Sequence, residues 1–208
     1  MFEGRGLTFA RGERALFEDL DFKLTDGSAL RVIGSNGSGK TSLLRIVAGL
    51  SRPDLGSLHW CGRIVRGSSP DFLKAINFLG HDDGLKRQLT GLENLAFTLS
   101  LMGASVTSTR IEETLEKIGL GEIKHLPVES MSAGQRRRIA LARLEFTGHR
   151  KLWILDEPFT SLDVKAIQWL AQKLSDHIRL GGILIFTTHQ DIDLLSDAAE
   201  IRLGLEDV

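Results

Sequence analysis

The chain has 208 residues, 42% hydrophobic and 25% charged, a balance that suits one globular domain, or one domain with an inserted lobe. Lys and Arg number 26 against 27 Asp and Glu, so the net charge is −1 and the basic excess of a nucleic-acid binder is missing. A single cysteine, Cys61, excludes an internal disulfide, the opening Met1–Arg5 has no signal-peptide apolar region, and apolar runs such as Ile183–Phe186 are far shorter than the ~18 residues of a membrane span. Together these predict a reducing, cytosolic compartment and exclude a secreted scaffold, a membrane-spanning helix and a disordered tail.

The first 30 residues read as strands. Leu7–Phe9 and Leu20–Leu24 alternate apolar and polar positions, Asp26-Gly27 marks a turn, and Ala29–Ile33 is a buried strand. A helix is expected over Thr41–Leu50, with Leu43, Leu44, Val47 and Ala48 on one face and Gly49 and Pro53 limiting it. More β structure is predicted at Leu58–Ile64 and a short apolar run at Asn77–Gly80. Residues from about 90 to 148 are helical and strand-poor. Thr90 and Glu93 have capping-box spacing, and further helices are expected over Arg110–Ile118 and Ser132–Phe146. Strands return at Leu152–Leu155, Ile183–Thr187 and Glu200–Leu203, separated by helices at Val164–Arg179 and near Ile192–Leu195. Alternating strands and helices predict a largely parallel sheet covered on both faces, with the middle helices inserted into it.

Two stretches carry chemistry. Gly34-Ser35-Asn36-Gly37-Ser38-Gly39-Lys40-Thr41 has the spacing of a phosphate loop, between a hydrophobic strand and a helical pattern. Its glycines let successive N–H groups turn towards phosphate oxygens, and the following helix adds its positive dipole end. Lys40 reaches the β- and γ-phosphates, and the Thr41 hydroxyl suits Mg²⁺. The second stretch is Leu152–Glu157, an apolar strand ending in two acids, which places carboxylates at the edge where α/β sheets bind ligands. Asp156 is the candidate Mg²⁺ partner, through water, and Glu157 the group that orients or deprotonates an attacking water. Alone, this strand end would read as two solvated acids; beside a phosphate loop it does not.

Met131-Ser132-Ala133-Gly134-Gln135 opens a helix whose first turns carry Arg136, Arg137 and Arg138. Arginines sit badly at a positive helix end unless an anion docks there. The segment resembles the signature sequence of ABC-type ATPases. The order of motifs is that family's as well: phosphate loop at 34–41, signature at 131–135, acidic strand end at 156–157, then Ser161-Leu162-Asp163 like its D-loop and His189 like its switch histidine. The resemblance covers nearly the whole chain. It implies an α/β P-loop NTPase (RecA-like) fold: a mostly parallel sheet, an N-terminal antiparallel β part and an inserted helical subdomain, with residues 1–83 and 149–208 as core and 84–148 as helical lobe. It also implies a head-to-tail homodimer around two ATP molecules with Mg²⁺. Residues 34–41 and Ser42 of one subunit would then hold a nucleotide that Ser132, Gly134 and Gln135 of the other cap. Lys40, Glu157 and His189 would be catalytic, and Asp163 would communicate between sites.

The chain departs from the family at several positions. His81 stands where most members carry a glutamine that touches Mg²⁺, and imidazole is a poor ligand for that ion. Either Mg²⁺ is held without it, or His81 acts through a water, or it is a loop histidine without a role. There is no tyrosine to stack on adenine. Arg11, whose guanidinium plane can stack on a base, is the candidate replacement; Phe9 is the other candidate, though its position in the pattern suggests core. Met131 and Ala133 replace Leu and Gly. Leu79-Gly80-His81, Gly84-Leu85-Lys86, Leu89-Thr90 and Glu93-Asn94-Leu95 resemble one subfamily, the ATPase subunit of the cytochrome c maturation haem exporter.

That resemblance implies a peripheral subunit on the cytoplasmic face of the inner membrane. It would work with separate integral membrane permease subunits, with no nucleic acid and no direct haem contact required. Leu85 and Leu89 would line the partner groove or pack the helical lobe. Two other readings stay open: a soluble single-domain ABC ATPase in cofactor assembly or another transporter's ATPase subunit, and a module that binds nucleotide without turnover.

Overall fold

The computed structural model describes residues 1–66, 69–189 and 195–204. Strands β1 (Phe2–Arg11) and β2 (Arg14–Leu24) form a hairpin, and β1 also pairs antiparallel with β4 (Leu55–Trp60), which turns at Cys61-Gly62 into β5 (Arg63–Ile64). This gives a four-stranded antiparallel sheet, order β2-β1-β4-β5. The strands outrun the alternating stretches in the sequence because register shifts between Gly4 and Leu7, Leu7 and Phe9, and Phe9 and Ala10 break the two-residue period.

The second sheet is wholly parallel. It comprises β3 (Ala29–Gly34), β6 (Ile76–Leu79), β7 (Leu152–Leu155), β8 (Ile183–Thr187) and β9 (Ala199–Leu203), in the order β6-β7-β8-β3-β9. Its registers explain the two buried faces. Leu152 pairs with Ile183 and Ile154 with Ile185, and all four join the core formed with Leu43, Leu44, Ile46 and Val47 of helix α1 (Lys40–Val47) and the antiparallel sheet. Trp153 and Leu184 point the other way, where Trp153 stacks on His177 of helix α6 (Val164–Arg179). Strands apolar on both faces are what a parallel sheet sandwiched by helices requires.

Helix α2 (Pro70–Ala75) escaped the sequence reading. Six residues are too few to show a period, although Pro at N1 and Asp71 in its first turn are start signals and Phe72 is buried. Helix α3 (Gly91–Leu101) begins with the expected capping box, in which Thr90 Oγ1 accepts from the Glu93 N–H and Glu93 accepts from the Thr90 N–H. Helix α4 (Ser108–Lys117) follows, and α5 (Ala133–Ala142) is shorter than expected because the chain tightens into a 3₁₀ turn at Arg143–Glu145. The helix expected near Ile192–Leu195 lies outside the described residues except for Leu195. Among the described residues no helix is long and apolar enough to cross a membrane.

Two compact units result. One holds Met1–Gly80, His149–Glu157 and the chain from Leu174 onward; the other holds His81–Gly148 with Pro158–Lys173. The helical unit has its own core, built on Leu95, Leu99, Ile111, Leu115, Met131 and Ile139.

Candidate functional site

The phosphate loop follows β3 directly and ends at Gly39, whose φ of 103° only glycine adopts without strain. A Cβ there would also meet the Leu16 Cβ at 3.0 Å. α1 starts at Lys40 with no side-chain cap, so its first N–H groups remain for an anion. Lys40 Nζ donates to the carbonyl oxygens of Gly34 (2.7 Å) and Ser35 (3.0 Å), which holds the ammonium inside the loop.

Three neighbouring strand ends meet beside it. Thr41 Oγ1 donates to Asp156 Oδ2 at 2.8 Å. Thr187 Oγ1, at the end of β8, donates to Asp156 Oδ1 at 2.7 Å and accepts from the Glu157 N–H at 2.7 Å. The Asp156 N–H donates to Leu79 O of β6 at 2.8 Å. Asp156 is 1% exposed, and its buried carboxylate is satisfied from both sides by the two threonine hydroxyls. Glu157 turns out of the strand with φ 49°, and His189 Nε2 lies 3.1 Å from its Oε1. The site thus joins Lys40, Thr41, Asp156, Glu157 and His189. The sequence reading missed Thr187; a threonine closing an apolar strand two residues before His189 is a signal too common to single out.

The hard oxygens of Thr41 and Asp156, side by side next to a phosphate loop, fit the donor set Mg²⁺ prefers. Among the described residues no group of three or more His, Cys, Asp or Glu side chains is placed to hold a metal. His81 begins the helical unit with its side chain exposed, and its carbonyl oxygen lies 3.4 Å from Arg137 Nη1. Arg11 is exposed at the tip of the β1–β2 hairpin, opposite Arg14. A cavity of about 840 Å³ abuts the loop at Ser38 and is lined by Arg14, Leu16 and Leu203, with Arg11 outside it. Phe9 is packed against Phe17, ring centroids 6.1 Å apart, as a core residue.

In the helical unit Ser132 caps α5. Its Oγ accepts from the Gln135 N–H at 3.2 Å, and Gln135 Oε1 accepts from the Ser132 N–H at 2.8 Å. The reciprocal box commits the Gln135 side-chain oxygen but leaves the exposed Ser132 hydroxyl its proton to donate. A Cβ on Gly134 would stand 2.4 Å from Ser161 O, so the chain at 161 passes over the start of α5 as only glycine permits. Asp163 Oδ1 accepts from the Ala166 N–H at 2.8 Å and caps α6. The arginines that looked misplaced at a positive helix end have partners within the protein. Arg136 donates to Met131 O, Arg137 to Asp83 at 2.9 Å and Arg138 to Ile118 O at 3.0 Å. An anion is therefore not needed to explain them. Leu85 packs against the helical core, while Leu89 is half-buried.

Comparison with known proteins gives consistent matches. A family model described as ABC transporter matches residues 17–160. A protein of Cupriavidus necator named cytochrome c biogenesis ATP-binding export protein CcmA is 46% identical, over 95% of this chain and 86% of its own length. One of Vibrio vulnificus with the same name is 45% identical over 97% of both chains. Among solved structures, a putative ABC transporter ATP-binding protein from Pyrococcus furiosus superposes with a TM-score of 0.81 at 21% identity, covering 97% of this chain and 96% of that one. A dimeric ATP-binding cassette in a post-hydrolysis state with ADP and Pi gives 0.82 at 23%, covering 98% and 94%. At those identities the structures speak for the fold.

Proposed function

The chain belongs to the ABC transporter family, and from that premise we propose that it is the ATP-hydrolysing subunit of an export complex for cytochrome c biogenesis, with haem as the cargo of that complex. The observation that carries the hydrolytic part is the hydrogen-bonded chain Thr41–Asp156–Thr187–Glu157 beside the Lys40 loop. It supplies a phosphate cradle, a pair of oxygens suited to Mg²⁺ and a carboxylate at the edge where the γ-phosphate would lie. The relatives' shared name supports the cytochrome c setting.

In this reading residues 34–42 bind the triphosphate, with Lys40 moving from its two loop carbonyls to β- and γ-oxygens. Thr41 directly and Asp156 through water would hold Mg²⁺, which would neutralise charge on the phosphates. Glu157 takes a proton from a water as its oxygen bonds to the γ-phosphorus; the bond to the β,γ-bridging oxygen breaks and ADP leaves with the electron pair. His189, within reach of Glu157, orients that water and the γ-phosphate. Arg11 stacks on the base. Ser132, Gly134 and Gln135 of a second copy cap the nucleotide, a reading supported by the related cassette solved as a dimer. His81 acts on the Mg²⁺ site through a water. The subunit sits on the cytoplasmic face of the inner membrane against separate permease subunits, and nothing in it has to touch haem.

The test is ATP turnover as a function of protein concentration, for the parent, Glu157→Gln and His81→Gln. Turnover should rise faster than linearly, and Glu157→Gln should bind nucleotide yet hydrolyse it at least a hundredfold more slowly; the His81→Gln rate reads the departure at that position. A rate strictly proportional to protein, or a Glu157→Gln protein as fast as the parent, would sink the composite site.

A further inference from the structure

We infer that Arg137 is a positioning residue that ties the loop bearing His81 to helix α5, so that loop and helix move as one piece. The inference rests on the ATPase reading only for the task it gives to this motion. The structural observation is independent of it.

Arg137 lies on the second turn of α5 and its side chain is 5% exposed. A guanidinium cannot shed its charge at such a place, so it needs fixed acceptors. Nη1 donates to Asp83 Oδ1 at 2.9 Å and points at His81 O, 3.4 Å away. The far end of the same loop is anchored differently. Asn94 of α3, 2% exposed, accepts from the Lys86 N–H and donates to the carbonyls of Lys86, Leu89 and Thr90. The loop from His81 to Thr90 is therefore held by α5 at its start and by Asn94 of α3 at its end, and the N–H groups of Glu129 and Val128 donate to its Arg87 and Leu89 carbonyls, both at 3.0 Å. All these residues belong to the helical unit.

The two anchors differ in kind. Asn94 saturates backbone groups and acts as a splint. A buried ion pair is a poor source of net stability, because desolvation offsets most of its attraction, but it fixes two segments in one register. Arg137 meets His81 at its carbonyl, which pins the peptide plane bonded to the His81 Cα to α5. A shift of α5, whose first residues are the proposed cap on a second copy's nucleotide, is in this way transmitted to His81.

The experiment severs the tie without leaving a buried charge, using the double variant Arg137→Met/Asp83→Leu in the full chain. Amide hydrogen exchange, thermal midpoint, nucleotide-binding stoichiometry, and kcat and KM for ATP are measured against the parent. The expected result is tenfold or faster exchange in peptides covering 81–86, unchanged exchange at α1, a midpoint within a few degrees, one nucleotide per chain, and kcat at least tenfold lower at unchanged KM. Arg137→Lys should recover part of the loss. Unchanged exchange over 81–86 overturns the inference, as does a loosened loop with kcat within twofold of the parent. If the double variant does not fold, Asp83→Asn is read in the same way. A parent that hydrolyses no ATP sinks the ATPase reading instead, and the exchange measurement still decides whether Arg137 holds the loop.

Discussion

Thr187 holds Asp156 and Glu157 together: its hydroxyl donates to Asp156 Oδ1 at 2.7 Å and accepts from the Glu157 N–H at 2.7 Å. One side chain thus fixes the acid proposed to hold the metal and the backbone of the acid proposed to activate water. Thr187 is fully buried, so no solvent can replace it. Valine has nearly the same shape and no hydroxyl. Thr187→Val should cost roughly 2–4 kcal/mol, since it removes two buried hydrogen bonds, one of them to a carboxylate. Turnover should fall at least tenfold, with Thr187→Ser retaining most of both. Denaturant unfolding and steady-state kinetics check this, and a Thr187→Val protein with parental stability would show that the two bonds carry no weight.

Gly134 has no room for a side chain. Its Cβ would lie 2.4 Å from Ser161 O, and Ser161 is itself held at φ 64°. Gly134→Ala must push the chain at 161 away or shift the start of α5. We expect a loss of about 1–3 kcal/mol, the usual range for overpacking, and faster exchange in peptides covering 158–163. Equal stability of Gly134→Ala and parent would contradict the close approach.

His177 gives a signature in pH. Its ring lies flat on Trp153, centroids 3.9 Å apart and planes 5° from parallel, and burial pushes its pKa down to about 4. Above its unfolded pKa of about 6.5 both states are neutral and nothing is lost. Between about 6.5 and 4 the unfolded chain binds a proton that the folded one refuses. Stability therefore falls as pH drops through this window, by up to about 3 kcal/mol, and levels off below it. His177→Phe keeps a flat ring on Trp153 and removes the titration. Urea midpoints measured from pH 7.5 to 4 should fall less steeply for the variant than for the parent; parallel curves would refute the assignment.

Asn94 makes four hydrogen bonds from one buried amide, all to the backbone of residues 86–90. Asn94→Asp preserves the shape but replaces three donations to carbonyls with repulsion between oxygens. The expected cost is roughly 3 kcal/mol, with exchange accelerated at Lys86, whose N–H donates to Asn94 Oδ1. A neutral effect on the unfolding midpoint would mean that the bonds from the Val128 and Glu129 N–H groups to the Leu89 and Arg87 carbonyls hold the loop without Asn94.

Much of this was legible along the chain because the relevant physics is local. The capping box at Thr90–Glu93 is four consecutive residues, and the helix over Val164–Arg179 was bounded correctly by its own periodicity. Strand-like runs at Ala29–Ile33, Leu152–Leu155 and Ile183–Thr187, alternating with helical stretches, announced a parallel sheet, since each helix is long enough to carry the chain back across the sheet. Where short-range pattern was thin, the reading failed. Helix α2 has fewer than two turns, and the register shifts in β1 erased its alternation.

The sequence by itself determined the chemistry on offer: a glycine loop that bends towards phosphate, a lysine and threonine to meet it, and two acids at a strand end. Each is a contiguous segment whose backbone conformation follows from its own residues. Tertiary structure alone decided what those segments touch. The strand order β7-β8-β3 is what sets Thr187 between Asp156 and the phosphate loop, across positions far apart in the chain. It also decided the meaning of the arginines after Gln135, whose charges asked for an anion without saying which. For Arg137 the structure supplies Asp83, because a buried cation takes the carboxylate that folding brings within reach, whatever its distance in sequence.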